Sequence, residues 1–124
     1  MRFVLDGETP SKKNSRIVLP NGKNIPGKKY REWHEGALIQ ARAQFAKAGG
    51  TVFSVPVEVS LTFVHGDLRR RDCDNGTSSI LDLLVDSGVL LDDNWQIVRR
   101  ICVSNEYARG ESFCIVDIKV QNER

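Results

Sequence analysis

The sequence predicts a single α+β domain over residues 1–124, in which one mixed β-sheet is covered by two helices in the order β-α-β-α-β-β. A length of 124 residues fits one ordinary domain. Apolar residues alternate with polar ones in several segments, which is the period of strands, and recur every three or four residues in two others, which is the period of helices. The 40% apolar and 27% charged content is typical of a soluble globular protein.

The first half of the chain contains a strand, a long loop and a helix. Residues 2–5 form a short apolar strand, and residues 6–28 are rich in Gly, Pro, Asn, Ser and Lys. That composition predicts a long loop, with a small hairpin around Asn21-Gly22. From about residue 29 to residue 48 the apolar spacing is helical, and Gly49-Gly50 ends the segment.

The second half continues with a strand, a helix and two further strands. Residues 55–65 alternate strictly and predict a strand with one buried face. A helix is expected from about residue 75 to residue 87, with Asp74 as its N-cap and Gly88 at its end. Residues 96–104 and 112–120 are strand candidates, and the turn at residues 108–110 suggests that they form an antiparallel pair.

Nothing in the chain predicts a membrane span or an exported protein. The longest apolar run is far shorter than the roughly 20 residues needed to cross a bilayer, and Asp6 interrupts any signal-peptide core. Cys73, Cys102 and Cys114 are odd in number and lack the close spacing of zinc or redox motifs. We therefore expect a cytoplasmic protein.

The basic residues concentrate in the first half. Residues 1–47 hold ten Lys/Arg and four Asp/Glu, which suggests an anionic partner such as nucleic acid. Seven of these cations fall within twenty residues without an intervening acid, a pattern that favours a DNA-gripping arm over ordinary solubilising charges. They are Lys12, Lys13, Arg16, Lys23, Lys28, Lys29 and Arg31.

Acidic residues cluster instead between Asp67 and Asp93. Asp72-Cys73-Asp74 precedes the second predicted helix, and Asp92-Asp93 follows it. If these carboxylates converge, their repulsion favours a hard divalent cation such as Mg²⁺. Three arginines at residues 69–71 come directly before the acids, and this pattern suits a phosphate-binding segment beside a metal site. Two alternatives stay open: the acids can be helix caps and turn residues, and the arginines can pair with neighbouring acids.

Three motifs make this chain similar to the RusA family of Holliday junction resolvases. A basic run at residues 69–71 is followed by D-x-D-N at residues 72–75, and G-x-x-x-D-D occupies residues 88–93. The stretch from Pro10 to Arg16 resembles the family's early P-S-x-N motif. The resemblance implies a RusA-like fold and a homodimeric, Mg²⁺-dependent endonuclease that cuts four-way DNA junctions with paired nicks, with Mn²⁺ as a substitute metal.

The resemblance also assigns roles to residues. It implies that Asp72, Asp74 and Asp93 carry the metal, and that Cys73 packs inward behind the site. The family lysine important for cleavage falls at Ser78 here, which predicts reduced cationic help unless a basic residue from the loop or a partner subunit enters the site. The expected DNA-binding residues are Lys12, Lys13, Arg16, Lys28, Lys29, Arg69, Arg70 and Arg71.

Two other functions remain open at this point. Because Ser78 replaces the family lysine, the chain could be a branched-DNA-binding protein of the same fold with weak or no catalysis. A small interaction module, in which the acids serve only as caps, is the second alternative.

Overall fold

A computed structural model describes residues 1–12 and 16–121 as two helices and six strands. In chain order these are β1 (Arg2–Asp6), β2 (Arg16–Val18), β3 (Asn24–Pro26), α1 (Lys28–Lys47), β4 (Val57–His65), α2 (Thr77–Asp86), β5 (Val98–Tyr107) and β6 (Phe113–Val120). The α+β prediction is confirmed, and the small hairpin forms where Asn21-Gly22 suggested it, between β2 and β3.

The main sheet has the strand order β1-β6-β4-β5. Strand β4 pairs parallel with β5 and antiparallel with β6, so the predicted antiparallel pairing of β5 with β6 is wrong. Helix α2 carries the chain from β4 to β5 as a crossover, which delivers β5 in the same direction as β4. Strand β6 then enters the sheet on the other side of β4. Its alternation of apolar and polar residues alone does not predict which strand it pairs with.

The hydrophobic core lies between the sheet and the two helices. Strand β4 buries Val57, Val59, Leu61 and Phe63 on one face, as its alternation predicted. Helix α2 contributes three buried apolar residues to the same core, and the small side chains of two alanines let α1 approach it. Each fully buried large apolar side chain contributes about 1.5–3 kcal/mol, so the central strand and α2 form a firm platform for the loops at their ends.

The two edges of the sheet differ. Beside β1, the Gln44 side chain accepts a hydrogen bond from the Val4 amide and donates one to the Val4 carbonyl, both at 2.8 Å. The Gln40 side chain accepts from the Asp6 amide at 2.8 Å. Helix α1 therefore satisfies the edge of β1, whereas β5, at the other end of the strand order, is largely exposed.

Helix α2 begins later than the sequence suggested. Its N-cap is Gly76, without a side-chain cap bond, so the assignment of Asp74 as the cap is wrong. Residues 72–77 form a turn instead, in which the Asn75 amide donates to the Asp72 carbonyl and the Thr77 amide to the Asp74 carbonyl, each at 3.1 Å. A Cβ at Gly76 would lie 2.7 Å from Thr9 and 2.9 Å from Phe63. Close packing of this turn therefore requires glycine.

Candidate active site

The Asp72-Cys73-Asp74 segment borders a small polar cavity at the start of α2. Asp72 and Asp74 line this cavity of about 240 Å³ together with Ser11, Lys12, Asn75, Thr77 and Ser78. Both carboxylates are exposed, and neither makes an ion pair or side-chain hydrogen bond with any other described residue. Their oxygens are therefore available to a ligand entering the cavity.

Lys12 is the cation of this cavity. Its Nζ lies 2.9 Å from Asp82 on α2 and 5.8 Å from the centre of the Tyr30 ring. Its backbone amide donates to Ser79 Oγ at 3.1 Å, and that buried hydroxyl donates to the Pro10 carbonyl at 2.7 Å. The loop before β2 is thereby anchored to α2, and Lys12 and Ser78 line the same cavity.

The two carboxylates of the Asp92-Asp93 pair have different surroundings. Asp92 accepts hydrogen bonds from the Asp93 amide at 2.7 Å and from the Asn94 side chain at 3.0 Å, and these bonds lower its pKa. The pKa of Asp93 is raised, first by partial burial, then by its contact with Asp92 and by the negative charge of Asp82. Asp92 is thus a turn residue, whereas Asp93 is influenced by the negative charge of Asp82, the acid that pairs with Lys12.

The three predicted metal ligands are not all brought together. Asp72 and Asp74 share a cavity, but Asp93 does not line it. Within residues 1–12 and 16–121, no group of three or more His, Cys, Asp and Glu side chains is placed to hold a metal ion. The donor set nevertheless fits Mg²⁺, which prefers oxygen ligands and is commonly held by one or two carboxylates with water and substrate phosphate.

The three arginines before the acids have different partners. Arg71 is mostly buried and bonds to Glu8 at 2.7 Å and to Asp67 at 2.8 Å. Arg69 is exposed and pairs with Asp67 at 3.1 Å, and hydrogen bonds from Arg69 and then Arg71 hold the pKa of Asp67 well below its usual range. Arg70 is exposed and makes no ion pair with another described residue. The salt-bridge alternative is therefore correct for Arg69 and Arg71 with Asp67, but not with Asp72 or Asp74.

A second group of polar side chains lies behind the acidic segment. His65, at the end of β4, lies with Nδ1 2.6 Å from Glu8 Oε1 and Nε2 2.8 Å from Asn105 Oδ1. Asn105, on β5, donates from Nδ2 to the Cys73 carbonyl at 2.8 Å. Cys73 itself is exposed, so the expectation that it packs inward is wrong. Its carbonyl, not its thiol, connects the segment to the sheet.

Comparison with known proteins identifies the family. The model of the endodeoxyribonuclease RusA family matches residues 6–120, which is nearly the whole chain. The chain belongs to the RusA family. It is also similar to the crossover junction endodeoxyribonuclease RusA of Aquifex aeolicus (strain VF5), with 25% identity over 111 residues that cover 89% of this chain and 84% of the relative.

The RusA motif residues occupy both ends of α2 in this structure. The D-x-D segment forms the turn before the helix, and the D-D pair follows it. Ser78 and Asp82 lie one turn apart on α2, and Lys12 reaches across from the N-terminal loop to Asp82. Sequence reasoning did not assign Asp82 a role, although its spacing of four residues from Ser78 places it on the same helix face.

The remaining basic residues surround the site unevenly. Lys29, at the start of α1, borders a cavity of about 230 Å³ with all three arginines of the basic run. Lys28 is exposed and lies 3.7 Å from Glu32, and Arg16 is bonded to Asn24 across the β2–β3 hairpin. Lys13 lies outside the described residues.

Among the described helices, none is long and apolar enough to cross a membrane.

Proposed function

We propose that this member of the RusA family is a crossover junction endodeoxyribonuclease, which hydrolyses phosphodiester bonds at four-way DNA junctions with Mg²⁺, or Mn²⁺ in its place. The observation that carries the proposal is a pair of carboxylates, Asp72 and Asp74, that line a polar cavity with Lys12 and form no ion pair with another described residue. The Aquifex aeolicus relative bears the name of this activity. We assign Asp93 as the third carboxylate from its place in the D-D motif that the chain shares with the RusA family.

A divalent metal ion at such carboxylates activates water and neutralises the charge that develops on a phosphodiester. Asp72 and Asp74 would hold this ion, and their exposure leaves room for the scissile phosphate. Lys12 supplies a positive charge to the same cavity, held in place by Asp82 and Tyr30. We propose this loop residue as the replacement cation that Ser78 calls for, because Lys12 and Ser78 line the same cavity.

The proposed DNA surface extends from the acidic turn toward the start of α1. Arg70 and Lys29 share a cavity and are exposed, and Lys28 lies one residue before Lys29. Phosphate contacts from such residues position the duplex arms without reading their sequence. Arg69 and Arg71 serve mainly to hold the loop through Asp67 and Glu8. Arg16, at the start of β2, and Lys13, by its sequence position alone, stay expected DNA-binding residues.

We further propose a homodimer in the cytoplasm. A four-way junction presents two equivalent strands, so paired nicks need two sites related by a two-fold axis. The exposed ten-residue strand β5 offers an edge to a second copy. All three cysteines are free, which is usual in a reducing compartment.

The test of this function compares a fluorescent four-way junction with a linear duplex of the same sequence, each with Mg²⁺ and with chelator. We expect paired nicks in the junction only when Mg²⁺ is present, and little cleavage of the duplex. Metal-dependent cleavage of both substrates at the same rate would contradict junction selectivity. Tight junction binding without cleavage under any metal would favour the alternative that Ser78 motivates, a branched-DNA-binding protein with little catalysis.

A further inference from the structure

The side chain of Asn105 ties the backbone of the acidic turn to the sheet. The carbonyls of Asp72 and Asp74 accept amides within the turn, at 3.1 Å each. The carbonyl between them, that of Cys73, accepts instead from Asn105 at 2.8 Å. Asn105 is 32 residues away on β5, so this bond fixes the peptide between the two carboxylates to a rigid element.

The hydrogen-bond directions around Asn105 fix the role of His65 Nε2. Because Asn105 Nδ2 donates to the Cys73 carbonyl, Oδ1 faces His65 as an acceptor, and Nε2 of the ring must carry a hydrogen. Nδ1 lies 2.6 Å from a carboxylate oxygen of Glu8 on the other side of the ring. The ring therefore contacts Glu8 on one side and orients the amide of Asn105 on the other.

Charged groups around the ring are consistent with this arrangement. Arg71 donates to the same oxygen of Glu8 at 2.7 Å, which holds this carboxylate beside the ring. A cavity of about 340 Å³ borders His65, and its other charged side chains are Asp67, Arg69 and Glu106. Asp67 is itself occupied by Arg69 and Arg71. Glu8 is thus the acid in direct contact with the ring.

We propose that His65 is a positioning residue of the active site. It orients Asn105, and Asn105 holds the Cys73 carbonyl so that Asp72 and Asp74 keep the separation needed to bind one divalent ion. This inference rests on the proposed metal site. His65 acts entirely through Asn105 and touches neither carboxylate, which distinguishes it from a general base.

The expected effect follows from the role of outer partners in metal sites. Loss of a group that orients a ligand typically costs 10–100-fold in metal affinity or activity. Asp72 and Asp74 have no side-chain tether of their own among the described residues. We therefore expect Asn105→Ala to weaken Mn²⁺ binding about tenfold.

The experiment measures Mn²⁺ binding by electron paramagnetic resonance in the wild type, His65→Leu, Asn105→Ala and the double variant. His34→Leu is the matched control, because His34 also bonds a carboxylate, Asp86, at 2.9 Å but has no contact with the acidic turn. Asn105 is exposed, so its replacement should leave the fold intact. We expect both single variants to weaken Mn²⁺ binding and the control to leave it unchanged. The double variant should match Asn105→Ala alone, because the two residues act in series.

Two results would overturn the proposal: unchanged Mn²⁺ binding in either single variant, or an additive loss in the double variant. A second readout, amide hydrogen exchange over residues 72–77, does not depend on metal. It should be faster in both single variants, and no faster in the double variant than in Asn105→Ala. If the wild type neither binds Mn²⁺ nor cleaves junctions, the proposed function has failed. In that case the amide hydrogen-exchange rates of residues 72–77 still test the positioning role of His65. Rates in the single variants equal to those of the wild type would refute it.

Discussion

Removal of the Lys12 charge should slow cleavage far more than it destabilises the fold. The Nζ of Lys12 lies 2.9 Å from Asp82, but the two side chains are 34% and 33% exposed, so the pair contributes at most about 1 kcal/mol to stability. In contrast, an electrostatic group directed at developing charge commonly contributes on the order of 10²–10³ in rate. Lys12→Ala should therefore lose about two orders of magnitude in the cleavage rate and unfold within a few degrees of the wild type.

Single-turnover cleavage of a four-way junction at saturating Mg²⁺ measures this effect without a contribution from product release. Lys47→Ala, which removes an exposed cation at the end of α1, is the control for net charge. Ser78→Lys should restore activity in the Lys12→Ala background, since residue 78 lies four residues before Asp82 on the same helix face. In the wild-type background it should change little. A Lys12→Ala rate equal to that of the wild type would refute the assignment of Lys12 to the site.

Three further changes test separate parts of the account. Arg70→Ala should reduce the slope of log junction affinity against log salt concentration by about 0.9. Arg71→Ala should change that slope less and loosen the loop instead, because Arg71 is held by Glu8 and Asp67. Junction binding measured at several salt concentrations separates the two variants. Because the pKa of Asp93 is raised in the folded protein, its ionisation opposes folding above that pKa. In chelator, thermal unfolding of Asp93→Asn should show a stability at least equal to that of the wild type at pH 7 and the same stability at low pH, where both side chains are neutral. A clear destabilisation at pH 7 would make Asp93 a structural residue. Gly76→Ala should destabilise the protein by about 1–3 kcal/mol in urea unfolding, because its Cβ would overlap Thr9 and Phe63, and an unchanged midpoint would mean that the turn is loosely packed.

Elements with strong local patterns were predictable from the sequence. Strand β4 and helix α1 lie within two residues of their expected bounds, because alternation and helical spacing are local properties. The partner of β6 was not predictable, since its apolar alternation is compatible with β5 or β4. The start of α2 was misplaced for a different reason. Asp74 is a favourable cap by type, but tight packing at Gly76 moves the first helical turn two residues later.

The site was predictable only where its residues are neighbours in sequence. Asp72 and Asp74 are two residues apart, and one short turn brings both to the same cavity. The Lys12–Asp82 pair joins residues 70 positions apart, and the His65 contacts with Glu8 and Asn105 span 57 and 40 positions. These contacts depend on how β4, β5 and the N-terminal loop pack, which no local pattern encodes. Asn105 likewise reaches the Cys73 carbonyl across 32 positions, a contact that the sequence does not reveal.

The central claim is that Asp72 and Asp74 hold a metal ion required to cut junction strands. The most direct measurement is single-turnover junction cleavage by Asp74→Asn at saturating Mg²⁺, with junction affinity measured in parallel. Asp86→Asn, an acid of α2 that bonds His34, is the control. We expect Asp74→Asn to lose cleavage while it binds the junction as tightly as the wild type or more tightly, because one repulsive charge is gone. Cleavage by Asp74→Asn at the wild-type rate would contradict the claim.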